Sequence, residues 1–444
     1  MDKTISKARK REQGQTILLF AFGLVALLAM AALAIDVVTL YVARSEAQRA
    51  ANAAAIAGAK MFAASGFTSV QGGGSLPLAD ACAAATAQAL AVAEQNTVAG
   101  QAAVATVNPP CTVQTSLLNP KITVIVARTG LPTFFARIWN RSVNSISATA
   151  TAEAYNPSYD TVVPPPQTAP IMVSVKPWLI PNCDSSKVAP ANPNCAGSAY
   201  FVNPADGSIA NNGSFIGNTI VLQRVPNTGI PAVNRYYTLD IPVAPLAQPS
   251  ALPVCPSTGA PSCGQVGTND YLDNIACSSQ VQFSCGQIIG PGPGNLNVDN
   301  TPGFAVGNRT NEGTQCLIHA NNAGLGQLQD VITEPGGPGT PAKIVGGNNN
   351  PNPALQGVDN ISRSDSVVTV PLYDGIQLCA GVNCNVNSIV TGFLQLGITQ
   401  RVPGPPNGSI AAMILNVAGC NPTPLGNTVS GGGVSPVPVR LINQ

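Results

Sequence analysis

The chain has 444 residues, room for two or three domains, and only 9% of them are charged, against roughly 25% in an ordinary soluble protein. A net charge of +1 excludes a global field for nucleic acid or acidic substrates, and no basic, aromatic-interleaved stretch points to nucleic acid as a partner. The first 156 residues hold 9 of the 43 Gly and 5 of the 39 Pro, so an Ala-rich first part gives way to a Gly/Pro-rich second part of different architecture.

Lys3, Lys7, Arg9, Lys10 and Arg11 crowd a basic tail, residues 1–15. Residues 16–35 carry no charge. As a helix they span about 30 Å, the hydrocarbon thickness of a bilayer. The positive-inside rule keeps the tail cytoplasmic and exports everything after Asp36. Two processed forms compete with this permanent anchor. A signal peptide would end at Ala32-Leu33-Ala34, which has the small-x-small pattern. A prepilin leader cut after Gly14 would need Glu at the fifth mature position, which holds Leu19. The long uncharged run, with no turn cluster until Ser65-Gly66, favours the anchor; a cut after Ala34 stays open.

Residues 36–63 predict a continuing helix, rich in strong helix formers and free of Pro. Val37, Leu40, Tyr41, Ala47, Ala51, Ala54, Ala55, Gly58 and Phe62 recur at three- and four-residue steps, which is one helical face. Ser45, Arg49, Asn52 and Lys60 lie on another, and Arg44 and Gln48 interrupt the apolar one. Anchor and extension make either one rod or two helices with a kink near Asp36.

These residues resemble the TadE/TadG-like proteins of tight-adherence (Flp) pilus assembly systems. The resemblance rests on the pair Gly14-Gln15 before the anchor, Asp36 after it, then Tyr41, Arg44 and Gln48. The small-residue ending contains Ala51, Ala54 and Gly58. Asn52 stands where the family commonly has Asp, which removes a charge but not the helix. The match covers about fifty residues. It implies a single-pass protein of the bacterial inner membrane with an extracytoplasmic body, acting in pilus assembly. Its partners would be the lipid bilayer and other pilus-assembly or pilin-like proteins, met through the Ala-rich helix. Gly23, Ala26, Ala29, Ala31 and Ala34 are candidates for helix contacts within the bilayer.

After a Gly-rich loop, residues 79–96 predict a second Ala-rich helix. Residues 121–128 and 145–154 predict strands; in the latter Ile146, Ala148, Ala150, Ala152 and Ala154 alternate with Ser, Thr and Glu. Residues 36–156 thus outline a pilin-like module, a long helix on a small antiparallel sheet. Cys82 and Cys111 are placed to tie the second helix to the sheet. The segment 131–143, "LPTFFARIWNRSV", is similar to one that family members carry, and Phe134, Phe135, Ile138 and Trp139 read as core.

Residues 157–169, with Pro164-Pro165-Pro166, read as a stiff linker, and residues 170–444 as an all-β extracytoplasmic domain, with a sandwich as one candidate. The class of the whole is α+β. All twelve Cys lie beyond the apolar block. Cys183/Cys195, Cys255/Cys263, Cys277/Cys285 and Cys379/Cys384 sit close in sequence, which suits local disulfides in an exported chain; their spacings do not suit zinc. Loop 335–353 reads as a long, mobile connection.

Catalytic motifs do not emerge. His319 is the chain's single His, and no G-x-S-x-G, H-E-x-x-H, P-loop or EF-hand pattern occurs. Asp270 and Asp273 read as turn formers, and Asp184-Ser185-Ser186 lacks the D-x-S-x-S spacing of an adhesion metal site. No catalytic residue, cofactor or metal is expected. The sequence points to a membrane-anchored structural or assembly component. The alternative is a secreted or surface-exposed binding protein freed by cleavage after Ala34.

Overall fold

The computed structural model describes residues 2–70, 78–107, 119–135, 143–159, 171–188, 195–225, 233–241, 270–298, 305–320, 328–333, 342–375, 388–402, 408–420 and 434–443, apart from 103, 134, 196–198, 278, 280, 360 and 362. Side chains of residues 1–15 lie outside this description. Helix α1, Asp2–Ala64, runs without a break at Asp36, so anchor and extension form one rod. Helix α2 is Leu78–Glu94. Both pack on a four-stranded antiparallel sheet that contains β1 (Val104–Val107), β2 (Lys121–Pro132) and β3 (Val143–Ala154). Its fourth strand is the C-terminal one, Val439–Asn443, which pairs with β3. The second part therefore does not run to the end of the chain: its last strand returns to complete the first sheet.

The core of this stem is built from methyl groups. Ala47, Ala50, Ala51, Ala54, Ala55 and Ala59 of α1 meet Ala81, Ala85, Ala89 and Ala93 of α2, and Ile122, Val124, Val126, Ala148, Ala150 and Ala152 of the sheet. Small side chains bury little area each but let backbones close in. At Gly58 an added Cβ would lie 2.7 Å from Ile122 Cδ1 and 3.0 Å from the Ala85 carbonyl. The expected stripe on α1 is corrected at its start. Val37 and Tyr41 stand exposed, because the sheet covers only the side of the helix that carries Asp36, Ala43 and Ala47.

Strands β4 (Trp178–Pro181), β5 (Thr219–Arg224), β6 (Arg235–Asp240), β9 (Val367–Tyr373), β10 (Ser388–Val402) and β11 (Ser409–Gly419) follow one another around a ring in the order β4-β9-β10-β11-β5-β6. Pairing of β6 with β4 closes it, so the body is a six-stranded barrel rather than a sandwich. The β4–β9 and β5–β6 pairs are parallel and the others antiparallel. Between β6 and β9 lies a short hairpin of β7 (Val331–Thr333) and β8 (Lys343–Val345). Part of the long loop 335–353 is thus ordered.

An all-β second part is also corrected. Helices α3 (Asp270–Ala276) and α4 (Ala305–Leu317) pack on the barrel through Ile275 and Leu317. Their sequences, "DYLDNIA" and "AVGNRTNEGTQCL", carry too short or too polar a pattern to register as helices. Trp178 and Tyr236 fill the barrel interior among Val370, Leu394 and Ile414. Their polar tips find partners: Trp178 Nε1 donates to Tyr271 Oη (3.2 Å) and Tyr236 Oη to the Gly408 carbonyl (2.7 Å).

Cys183 and Cys195 are bonded, 12 residues apart. Cys285 bonds Cys420, 135 residues away, which corrects its local pairing with Cys277. Cys277 is also disulfide-bonded, as is Cys316. The span between Cys277 and Cys285 contains Phe283, buried against Met172, so that this stretch turns its second Cys toward the end of β11. Cys82 is half-buried on α2; Cys111, Cys255, Cys263, Cys379 and Cys384 lie outside the described residues.

Stem and barrel meet along a buried polar seam. Ser69, just past α1, donates from Oγ to Asn416 Oδ1 (3.0 Å) and accepts the Val417 N–H (3.0 Å). Asn156, where the chain leaves β3, donates to the carbonyls of Thr68 and Val417, both at 2.9 Å. Ser158 accepts the Gly419 N–H at 2.6 Å, so the start of the expected linker is packed on the barrel. Residues 160–170 lie outside the described residues.

Candidate functional site

The exposed part of α1 is the one large apolar surface on the described residues. Ile17, Leu18, Leu19, Phe20 and Phe22 are 57–73% exposed, and the run continues through Leu24, Val25, Leu27, Leu28, Met30, Leu33 and Ile35. Among the described residues no part of the body packs against it: its most apolar window has none of its residues buried. A helix of this length and composition is sufficient to cross a bilayer.

Burial begins at Asp36, whose side chain is the first to face the sheet and is 3% exposed. Its Oδ2 accepts the Phe135 N–H at 3.0 Å, in the connection that leaves β2. A carboxylate taken out of water needs such a donor. The contact fixes the end of the sheet at the point where the apolar run loses its full exposure. Phe135 itself is half-buried; Phe134, Ile138 and Trp139 lie outside the described residues.

The motif residues divide into two sets. Ala51, Ala54 and Gly58 are buried against α2 and the sheet, and Asp36 against the sheet end. Gln48 donates to Asn52 Oδ1 (2.9 Å) and to the Thr149 carbonyl of β3 (3.1 Å). In this chain Asn52 therefore serves as the acceptor for Gln48. These residues hold the helix on its own sheet. Tyr41, 74% exposed, and Arg44 face away from it. Gly14 and Gln15 lie in the helix ahead of the apolar run.

Sequence reasoning missed Glu46, whose Oε2 accepts the Ala99 N–H (2.8 Å). That residue is in a tight turn, Ala99 and Gly100 both at positive φ, between Thr97–Val98 and Gln101–Ala102. It missed Glu153 as well. Glu153 is buried within β3 and accepts Arg440 Nε at 2.6 Å, with Lys121 Nζ at 3.7 Å on the opposite side. The registers Lys121↔Glu153 and Arg440↔Glu153 line the three charges across the sheet.

The barrel's titratable groups are tied into structure. His319 Nε2 lies 2.9 Å from Asp365 Oδ2, and its ring is buried while the carboxylate is half exposed. This hydrogen bond is the main cause that holds the Asp365 carboxyl below its ordinary range. Lys176 is buried and donates to the Cys277 carbonyl (2.7 Å), past the end of α3; burial pulls its ammonium down to about 7. Asp330 Oδ1 accepts from the Gly347 N–H (2.9 Å) and Asn350 (3.0 Å), and its Oδ2 from Ser364 (2.5 Å). Its donors are those of a loop anchor. Asp184 Oδ1 accepts the Ser186 N–H at 2.9 Å, a turn, and Asp273 is buried on α3. Among the described residues no group of three His, Cys, Asp or Glu side chains comes together as a metal site.

A single long apolar helix that continues as the spine of a small sheet, with a disulfide-bonded barrel beyond, defines an α+β protein with an N-terminal membrane-type helix. Residues 14–61 match the family model described as putative Flp pilus-assembly TadE/G-like, so the chain carries a TadE/TadG-like module. The match ends within α1, before the barrel. No curated protein and no solved structure matches the chain.

Proposed function

We propose that this protein is a non-enzymatic, membrane-anchored structural component of a Flp-type pilus assembly system. Residues 16–35 span the inner membrane, the basic tail is cytoplasmic, and stem and barrel stand in the oxidising periplasm. The observation that carries the reading is the division of the family-matched segment. Its first half is a bare apolar helix, and its second half is the spine of a folded stem. Such a protein fixes a rigid body at a set height beside the assembly machinery. The small residues Gly23, Ala26, Ala29, Ala31 and Ala34 are offered to pilin-like neighbours inside the bilayer.

Fractionation tests this directly. An intact N-terminus recovered in inner-membrane vesicles, with the barrel cut by protease only after outer-membrane permeabilisation, is the expected result. A mature chain starting at Ile35 in the soluble fraction overturns it in favour of a secreted binding protein. Leu at Gly23 and Ala26 is expected to weaken co-purification with pilus components while leaving the protein in the membrane.

A further inference from the structure

The exposed side of α1 does not turn polar at Asp36. That carboxylate is folded under the sheet end and bonded to the Phe135 N–H. On the opposite side Val37, Val38, Tyr41 and Val42 are 57, 58, 74 and 48% exposed. Thr39, exposed between them, turns its hydroxyl back to the Asp36 carbonyl (2.8 Å), and charge arrives only at the next turn, where the exposed residues are Arg44, Ser45 and Arg49. From Thr16 to Val42 the solvent-facing surface of the helix therefore carries no charge, although the sequence places Asp36 within it.

From Thr16 to Val42 the helix rises about 40 Å at 1.5 Å per residue. With residues 16–35 across the hydrocarbon core of about 30 Å, the rise from Ile35 to Val42 adds about 10 Å, enough to cross the roughly 5–8 Å headgroup layer on that side. Tyr at position 41 falls at the depth where amphipathic aromatic rings collect, and Arg44 one turn on falls where a guanidinium reaches phosphate.

We propose that the phospholipid headgroup layer covers α1 as far as Val42, so that the end of the sheet bearing Phe135 is sunk in that layer. The occupant of the Val37–Val42 face is lipid. The stem is then seated on the membrane by two elements, the helix and the sheet end, and cannot swing freely about the span. This rests on the reading of residues 16–35 as a membrane span.

Bromine-labelled phosphatidylcholine vesicles holding the full chain test it. The chain has two Trp. Trp178 is buried in the barrel and gives a constant background, and Trp139→Phe removes the other. Reporters are then introduced singly at exposed positions as Phe22→Trp, Tyr41→Trp and Arg49→Trp. The expected result has three parts. Phe22→Trp is quenched by bromine deep in the acyl chain. Tyr41→Trp loses much of its emission to bromine near the headgroup end. Arg49→Trp stays at background. Quenching at Phe22→Trp with none at Tyr41→Trp overturns this inference alone and leaves the Val37–Val42 face to a protein neighbour. No quenching at Phe22→Trp overturns the span reading and this inference with it.

Discussion

Asn416, on strand β11 of the barrel, donates its amide to the carbonyl of Ala63 in the last turn of α1, 2.6 Å away. The same amide donates to Gln395 Oε1 (2.8 Å), and its oxygen accepts from Ser69. One side chain thus satisfies a helix-end carbonyl, a neighbouring strand and the turn after the helix. The long apolar helix and the barrel beyond it are joined at this point. Asn416→Ala leaves the Ala63 carbonyl and Gln395 without that donor in a buried place, a cost of about 1–3 kcal/mol. Calorimetry of the full chain in detergent is expected to show a lowered transition that splits in two as stem and barrel uncouple. A single transition at the wild-type temperature would mean that the seam is not what couples them.

Arg440 and Glu153 tie the C-terminal strand to the stem across 287 residues of sequence. Glu153 is buried and Arg440 half exposed, with its guanidinium also over the Tyr155 ring at 4.7 Å from the centroid. Glu153→Gln keeps the shape and one acceptor but strands two cations, Lys121 and Arg440, beside a neutral group. A loss of about 1–3 kcal/mol is expected. Hydrogen exchange is expected to quicken first in residues 439–443, the edge strand, before β3 itself opens.

Local patterns carried much of this fold into the sequence, and long-range ones did not. The uncharged run 16–35 and the Ala alternation of 145–154 are legible because period and charge are local properties. The sequence also marked Asp36 as the residue after the apolar run, but not Phe135, its partner 99 positions on. Tyr41 sits at helical spacing with the apolar stripe, yet whether a stripe is covered depends on where the sheet ends. Closure of the barrel depends on β6 meeting β4 and β5, and the seam joins Ser69 to Asn416 over 347 residues; neither leaves a short-range trace. Cys277 and Cys285 look paired by spacing, and only the fold shows Cys285 next to Cys420.

The disulfides Cys183–Cys195 and Cys285–Cys420 differ in the length of chain they close, 12 and 135 residues. In chain-entropy terms these are worth about 3 and about 5 kcal/mol respectively. Cys285→Ser is therefore expected to lower the denaturant midpoint of the barrel more than Cys195→Ser. Equal losses, or a larger one at Cys195, would show that strain or residual structure rather than loop length sets the contribution.

Lys176 gives the barrel a dependence on pH with a definite sign. Its ammonium is buried, donates to the Cys277 carbonyl and loses its proton at about 7 in the folded chain, against 10.5 for an ordinary Lys. Between those values the unfolded chain binds one proton more than the folded one. Stability therefore rises with pH across that window, by about 1.4 kcal/mol per pH unit from this group. Asp365, whose negative charge favours the ammonium, has a lowered carboxyl and adds stability that is lost only as pH falls through its folded value, well outside the window. Tyr236 and Tyr373 are pushed up by burial, and Tyr271 to about 12, so each costs stability as pH climbs past 10. The measurement belongs between pH 7 and about 9.5. Wild-type unfolding free energy in urea is expected to climb across that range, and Lys176→Met to be flat across it. Parallel curves for the two proteins would mean that Lys176 is not a buried amine with a depressed pKa.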